Sequence, residues 1–299
     1  MRNSTAKTVF TAKFNPIDMP EIEMKQELVS LLRTSHVLPV AERLHYLSIL
    51  WRKHKGNTDF AKAHPGEAFP PCGVLYDAMS STSYPDYFDT GHRIAHLLYD
   101  MAAPFLPARE ASICEWGCGP GRIIRHMRGI DPSRVLRLSA SDYNRQSIDW
   151  CGRSIPGVDF RLNGLAPPFP FDDGVFDWVY CISVFTHLSE PMHRLWLADL
   201  LRSVKTGGIL LLTTHGDNFR AKLLPEESRR YIAGGLVVRG KVLEGSRMYT
   251  AFESPAYMRS LLGDQQILLH EPDPDPVIAG GQDVWIVRKV AGAGSRVAH

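Results

Sequence analysis

Seven residues, Glu115-Trp116-Gly117-Cys118-Gly119-Pro120-Gly121, set three glycines at alternate positions between an apolar run and Ile123, Ile124 and Met127. Without a Cβ the backbone turns sharply and approaches a ligand closely, so a turn of this kind after a strand is a binding element. It sits in an alternating pattern. Apolar runs at 111–116, 135–141, 158–162, 176–182 and 208–214 read as strands, and 121–128, 145–154 and 190–204 read as helices. The alternation predicts an α/β fold with a mainly parallel sheet and helices on both faces. Such sheets bind ligands at the carboxyl ends of their strands.

Before this pattern, 21–33 and 38–53 read as helices, the second with Val40, Leu44, Leu47 and Trp51 at helical spacing. Residues 64–90 hold Pro65, Pro70, Pro71 and Pro85 and read as an ordered connector. A helix then starts after Gly91 and ends before Pro104. Beyond the core, Ser254-Pro255 resembles a capped helix start and Gly263 a helix stop, while 266–270 and 283–289 read as strands. The expected organisation is an N-terminal helical extension or cap over 1–90, a catalytic domain over 91–290 with an insertion at 217–250, and a flexible tail at 291–299.

Two adenosine cofactors compete for the glycine turn. A dinucleotide fingerprint starting at Gly117 needs a third glycine at position 122, where the chain has Arg122. Asp142 ends the second strand roughly twenty residues after Gly121, where a carboxylate can accept both ribose hydroxyls. That position suits either cofactor, and it also suits an N-cap for the next helix.

Glu115, Gly117, Gly119 and Gly121 fit position by position the first motif of class I S-adenosylmethionine-dependent methyltransferases, which this sequence resembles over about 111–290. Leu162-Asn163-Gly164-Leu165 and the Pro-Phe-x-Asp-Gly-x-Phe-Asp turn over 170–177 are similar to the family's adenine loop and its entry into strand four. The resemblance implies a Rossmann-like seven-stranded sheet whose last strand is antiparallel, and an insertion between strands five and six. It implies that the turn, with Cys118, lies against the methionine part of S-adenosylmethionine, helped by Glu115. Asp142 and Tyr143 would face the ribose and adenine, and either the Asn163 side chain or the Gly164 and Leu165 amides would contact adenine. Cys181 and Ile182, ending strand four, would lie beneath the sulfonium, and Tyr87 would close over the cofactor. Cys181 also suits plain core packing. Neither an Asn/Asp-Pro-Pro-Tyr motif nor the metal-binding Asp of catechol methyltransferases is present.

Methyl transfer is an in-line displacement, and a hydroxyl acceptor benefits from a general base. His187 after strand four and His215 after strand five both fall at the functional edge of the sheet. The insertion carries Arg220, Lys222, Arg229, Arg230, Arg239, Lys241 and Arg247 against Glu226, Glu227 and Glu244, so Arg229 and Arg230 are candidates for holding an anionic acceptor.

A net charge of +2 gives no basic excess of the kind that marks a nucleic-acid binder. The expected partner is therefore a small-molecule acceptor, with no nucleic acid and no membrane. Absence of a signal-like start leads to an expected cytoplasmic location. Five cysteines without Cys-x-x-Cys spacing, and no His/Cys zinc pattern, predict reduced thiols and no metal. Acceptor identity and oligomeric state are not encoded in these motifs. A non-methylating cofactor-binding protein, regulatory or cyclase-like, would carry the same binding residues, and a nicotinamide oxidoreductase is disfavoured by Arg122.

Overall fold

The computed structural model describes residues 38–240, 242–246 and 248–291. The helix expected at 21–33 and nearly all of the tail lie outside the described residues. The chain divides after His45 into two units. The described part of the first, 38–45, is helical and begins α1 (Leu38–Ala63), which runs ten residues further than its expected end.

The expected connector at 64–90 holds more structure than its prolines suggested. It contains α2 (Cys72–Met79) and the first turns of α3 (Tyr84–Ala102). Pro85 stands in the first turn of α3, where its missing N–H costs nothing, and Ser83 caps the helix by accepting from the Asp86 amide at 3.3 Å. Proline here starts a helix; the sequence reading took it for a breaker.

The central sheet has seven strands: β1 (Glu110–Trp116), β2 (Val135–Asp142), β3 (Val158–Leu162), β4 (Phe176–Cys181), β5 (Val204–Thr214), β8 (Gln266–Glu271) and β9 (Asp283–Arg288). Their spatial order is β3-β2-β1-β4-β5-β9-β8, parallel through β5, with β9 antiparallel to both neighbours. This is the Rossmann-like arrangement expected from the sequence. The connecting helices are α4 (Arg145–Ser154) and α5 (Glu190–Ser203). Between β5 and β8 the insertion forms α6 (Pro225–Ile232) and a separate hairpin, β6 (Leu236–Arg239) with β7 (Thr250–Glu253), before α7 (Pro255–Leu262).

Strand side chains alternate between two cores. Ile113, Trp178, Tyr180, Ile209 and Leu211 meet Ile94 and Leu98 of α3, while Cys114, Val179, Cys181, Leu210 and Leu212 meet Trp196, Leu197 and Leu200 of α5. Each buried Leu- or Ile-sized side chain stabilises the fold by about 1.5–3 kcal/mol. Burial on both faces explains the continuous apolar runs. Among the described residues, no helix is long and apolar enough to cross a membrane.

The helix expected over 121–128 is instead a loop with one 3-10 turn, Ile124–His126. A helix there would pair the Ile124 amide with the Pro120 carbonyl. Both groups are engaged elsewhere: Ile124 N–H donates to Glu115 Oε2 at 3.0 Å, and Pro120 O accepts from the Tyr87 hydroxyl at 2.8 Å. Gly121, at φ +70, also lies outside helical geometry.

Candidate functional site

The carboxyl ends of β1 through β4 open into a cleft of about 250 Å³. Its floor is the glycine turn. Gly117 has φ +74, and a Cβ on it would come within 2.3 Å of the Val184 side chain, so the turn requires glycine at this point. The Gly117 and Cys118 amides donate to the Ser141 carbonyl at 2.8 and 3.1 Å, which ties the turn to the end of β2.

Asp142 closes β2 with its carboxylate on the cleft wall. Oδ2 accepts from the Gly119 amide at 2.8 Å and Oδ1 from the Asn144 amide at 2.7 Å. Each oxygen keeps a lone pair for another donor. Burial raises its pKa, opposed by those amide hydrogen bonds. Helix α4 is capped by Asn144, whose side chain accepts from Gln146 and Ser147 amides, so the alternative role of Asp142 as the N-cap does not apply. Tyr143, Asn163, Gly164 and Leu165 also line the cleft. Asn163 is buried; its Nδ2 donates to Gly164 O at 2.7 Å, while its Oδ1 has no partner. A buried amide oxygen without a donor is costly, and it suits a ligand amine.

Glu115 reaches the cleft wall but directs its carboxyl at protein donors. Oε2 accepts from Ile124 N–H and from the Tyr180 hydroxyl at 3.1 Å, and burial pushes its pKa up to about 8. It organises the loop that follows the glycine turn. Among the described lining residues Arg122 is the sole Arg or Lys; its Nη1 donates to the Thr90 hydroxyl at 3.2 Å.

His187 lies on the cleft wall. Its Nδ1 is 2.6 Å from the Tyr249 carbonyl, and burial holds its pKa below the ordinary imidazole value. The ring is therefore neutral near pH 7 with Nδ1 protonated, which makes Nε2 a proton acceptor.

Five expectations need correction in position. His215 is not on the cleft wall: its Nδ1 meets the Ala251 carbonyl at 2.8 Å and its ring packs on Phe219 and Phe252, fixing the insertion hairpin. Tyr87 lies beneath the glycine turn, where its hydroxyl holds Pro120 O and accepts from Arg125 Nη1 at 2.9 Å. Cys181 is fully buried in the α5-side core, and Gly121 supports the turn from below, where a Cβ would come within 2.5 Å of Ile155. Arg229 and Arg230 are exposed on α6, away from the lining; Arg230 comes within 4.0 Å of Glu190.

The sequence reading missed the rim. Asp77, Ala78 and Met79 end α2 on one side, and Glu244 and Gly245 of the insertion form the other. Gly245 spans the mouth: its amide donates to His187 O at 3.0 Å and its carbonyl accepts from the Tyr143 hydroxyl at 3.1 Å. No local sequence pattern marks these contacts, although both segments fall in regions expected to cover the strand ends. Among the described residues no group of three or more His, Cys, Asp or Glu side chains could hold a metal ion.

Comparison with known proteins locates the match in this same region. Residues 114–212 match the family described as "Methyltransferase domain". A tRNA U34 carboxymethyltransferase of Campylobacter concisus is 25% identical over 117 residues, 39% of each chain. A tRNA N(3)-methylcytidine methyltransferase of Schizosaccharomyces pombe is 26% identical over 153 residues, 48% of this chain and 47% of that protein. The chain thus spans less than half the length of the curated relatives it matches. Among solved structures, the Burkholderia thailandensis 1,6-didemethyltoxoflavin-N1-methyltransferase aligns at 12% identity and a TM-score of 0.48, over 94% of this chain and 93% of that one. Residues 114–212 are thus similar in sequence to a methyltransferase domain, over about a third of the chain.

Proposed function

We propose that this chain transfers a methyl group from S-adenosylmethionine to a hydroxyl of a small molecule, with His187 accepting the proton. The observation that carries the reading is His187 itself: a neutral imidazole on the cleft wall, with Nδ1–H given to Tyr249 O. The residues present suit the cofactor. Asp142 would take the ribose hydroxyls, the unpartnered Asn163 Oδ1 would take the adenine amine, and the open glycine turn would lie against the methionine part.

When bound, the cofactor supplies an activated methyl carbon. The chain aligns the acceptor with that carbon, and fixed alignment lowers a barrier by roughly 7–11 kcal/mol in favourable cases. A base contributes about 10²–10⁴-fold. As the carbon–oxygen bond forms and the carbon–sulfur bond breaks, His187 Nε2 takes the hydroxyl proton.

Charge at the cleft favours a small acceptor over RNA. Among the described lining residues Asp77 and Glu244 stand at the rim and Arg122 is the one Arg or Lys, whereas polynucleotide binding draws on several cations. The tRNA-modifying relatives favour the RNA reading, at weak identity and partial coverage. We further propose that α2 and the insertion select the acceptor, in place of the Arg229–Arg230 pair. The test is to supply methyl-labelled S-adenosylmethionine with either total tRNA or the low-molecular-mass fraction of a cell extract. Label should enter the small molecules, with S-adenosylhomocysteine formed in step. Label in tRNA would refute the acceptor class, and cofactor binding without turnover in either would favour a non-methylating protein.

A further inference from the structure

Among the described residues three that are not glycine have a positive φ, and of these Ser183, at +60, is the one that lines the cleft. A residue with a Cβ holds that conformation only where its surroundings impose it. Glycine would make the turn without strain, so what serine adds here is a hydroxyl.

That hydroxyl belongs to a network of four polar side chains. Gln282 Nε2 donates to Ser183 Oγ at 2.9 Å, and Gln282 Oε1 accepts from the Thr213 hydroxyl at 2.7 Å. Thr213 Oγ1 accepts in turn from the Ser183 amide at 2.8 Å. On the other side Thr186 Oγ1 donates to the Ser183 carbonyl at 3.1 Å, which leaves the Ser183 proton for Thr186 Oγ1 at 3.2 Å. The amide, hydroxyl and carbonyl of Ser183 are all held. Thr186 and Thr213 are fully buried and Gln282 is 2% exposed, so a lost member leaves its partner unpaired inside the protein.

Gln282 arrives from a distant turn. Gly280 and Gly281, at φ +73 and +83, lead the chain out of the Pro-rich stretch, and Gln282 immediately precedes β9. Ser183 stands two residues after β4, and Thr186 lies in the 3-10 turn Phe185–His187, directly before His187. The network therefore ties β5 and the entry to β9 to the turn that carries His187.

We propose that Gln282 is a positioning residue for His187: through Ser183 and Thr186 it fixes the turn after β4 in the conformation that sets the imidazole on the cleft wall. The proposal rests on the reading of His187 as the base. Tyr249 sets which ring nitrogen accepts a proton; Gln282 sets where that ring stands. An apolar side chain of similar size would fill position 282, but it would leave the Thr213 hydroxyl without its acceptor and remove the donor that holds Ser183.

The experiment follows the His187 ring by ¹⁵N-histidine NMR in Gln282→Leu and Ser183→Ala, alongside label transfer from S-adenosylmethionine to the low-molecular-mass fraction of a cell extract. The wild-type ring should show the Nδ1-protonated form alone, and both variants a mixture of tautomers, since a displaced ring loses its bond to Tyr249 O. Transfer should slow by about 10- to 100-fold, as for a group misplaced by roughly an ångström. Calorimetry should find the affinity of Gln282→Leu for S-adenosylhomocysteine unchanged. The double variant should lose no more than Gln282→Leu, because both changes break one network. A wild-type tautomer and rate in the variants would overturn the proposal, as would an equal loss of rate and cofactor affinity or additive losses in the double variant. If Gln282→Leu does not fold, Ser183→Ala decides by the same NMR and rate measurements. A wild-type protein that transfers no label to small molecules would remove the base reading, and the tautomer comparison would still decide the positioning.

Discussion

The Nδ1 of His187 and the carbonyl of Tyr249 are 2.6 Å apart, which joins a residue just after β4 to the residue that leads into β7 of the insertion hairpin. A carbonyl only accepts, so the imidazole must donate from Nδ1. β7 itself is held twice, by His215 Nδ1 at Ala251 O and by His193 Nε2 at Glu253 Oε1, 2.8 and 3.1 Å away. Three histidines thus grip alternate residues of one short segment. The insertion sets the tautomer of the residue assigned as the base.

His187 should show the Nδ1-protonated tautomer in ¹⁵N-histidine NMR. Its burial lowers the pKa, so the neutral form persists as pH falls below the ordinary imidazole value of 6.5. The acid limb of kcat/KM should therefore lie below pH 6.5. Replacing His187 by Gln should cost about 10²–10⁴-fold in kcat with little change in cofactor affinity. A limb above pH 6.5, or full turnover in the variant, would refute the base assignment.

Glu115 should make the fold weaker at alkaline pH. Its folded pKa of about 8 lies above the ordinary 4.5, so the stability it contributes is complete below pH 4.5 and is lost as pH rises through about 8. Glu115→Gln keeps an acceptor for Ile124 N–H and removes the titration. Denaturation midpoints of the wild type should fall between pH 6 and pH 9 more steeply than those of the variant. Parallel curves would show that Glu115 does not titrate in this range.

Glu253 is fully buried, meets His193 Nε2 at 3.1 Å and accepts from the His215 amide at 3.0 Å. Glu253→Ala strands His193 and the amide, and should destabilise the protein by about 3–5 kcal/mol in urea unfolding. Glu253→Gln keeps an acceptor for the amide and a polar partner for His193, so it should lose less than half of that. Equal losses in the two variants would show that volume, not the polar contacts, holds the hairpin.

Asp142→Ala should weaken S-adenosylhomocysteine binding by about 10- to 100-fold, since it removes acceptors for both the ribose and the Gly119 amide. Adenosine alone should suffer the same factor, because the ribose contact is common to both ligands. Calorimetry that finds adenosine unaffected would place the ribose elsewhere.

The sequence by itself determined the sheet and most of the residues that line the glycine-turn end of the cleft. Strand periodicity, the alternate glycines, Asp142 at the end of β2 and Asn163 just after β3 are local signals, because backbone geometry and hydrogen-bond capacity are properties of neighbouring residues. Tertiary structure decided the rest. Pro85 reads as a breaker until the cap from Ser83 is seen, and the helix expected after Gly121 is undone by Tyr87 and Glu115, which come from other elements. His187 and His215 look equivalent in sequence, each following a strand, yet one borders the cleft and the other packs between Phe219 and Phe252. The rim formed by Asp77, Glu244 and Gly245 joins segments more than 160 residues apart, and nothing local encodes it. Pairings of that kind arise only when two cores bury their side chains on opposite faces of one sheet and carry their loops to the same edge.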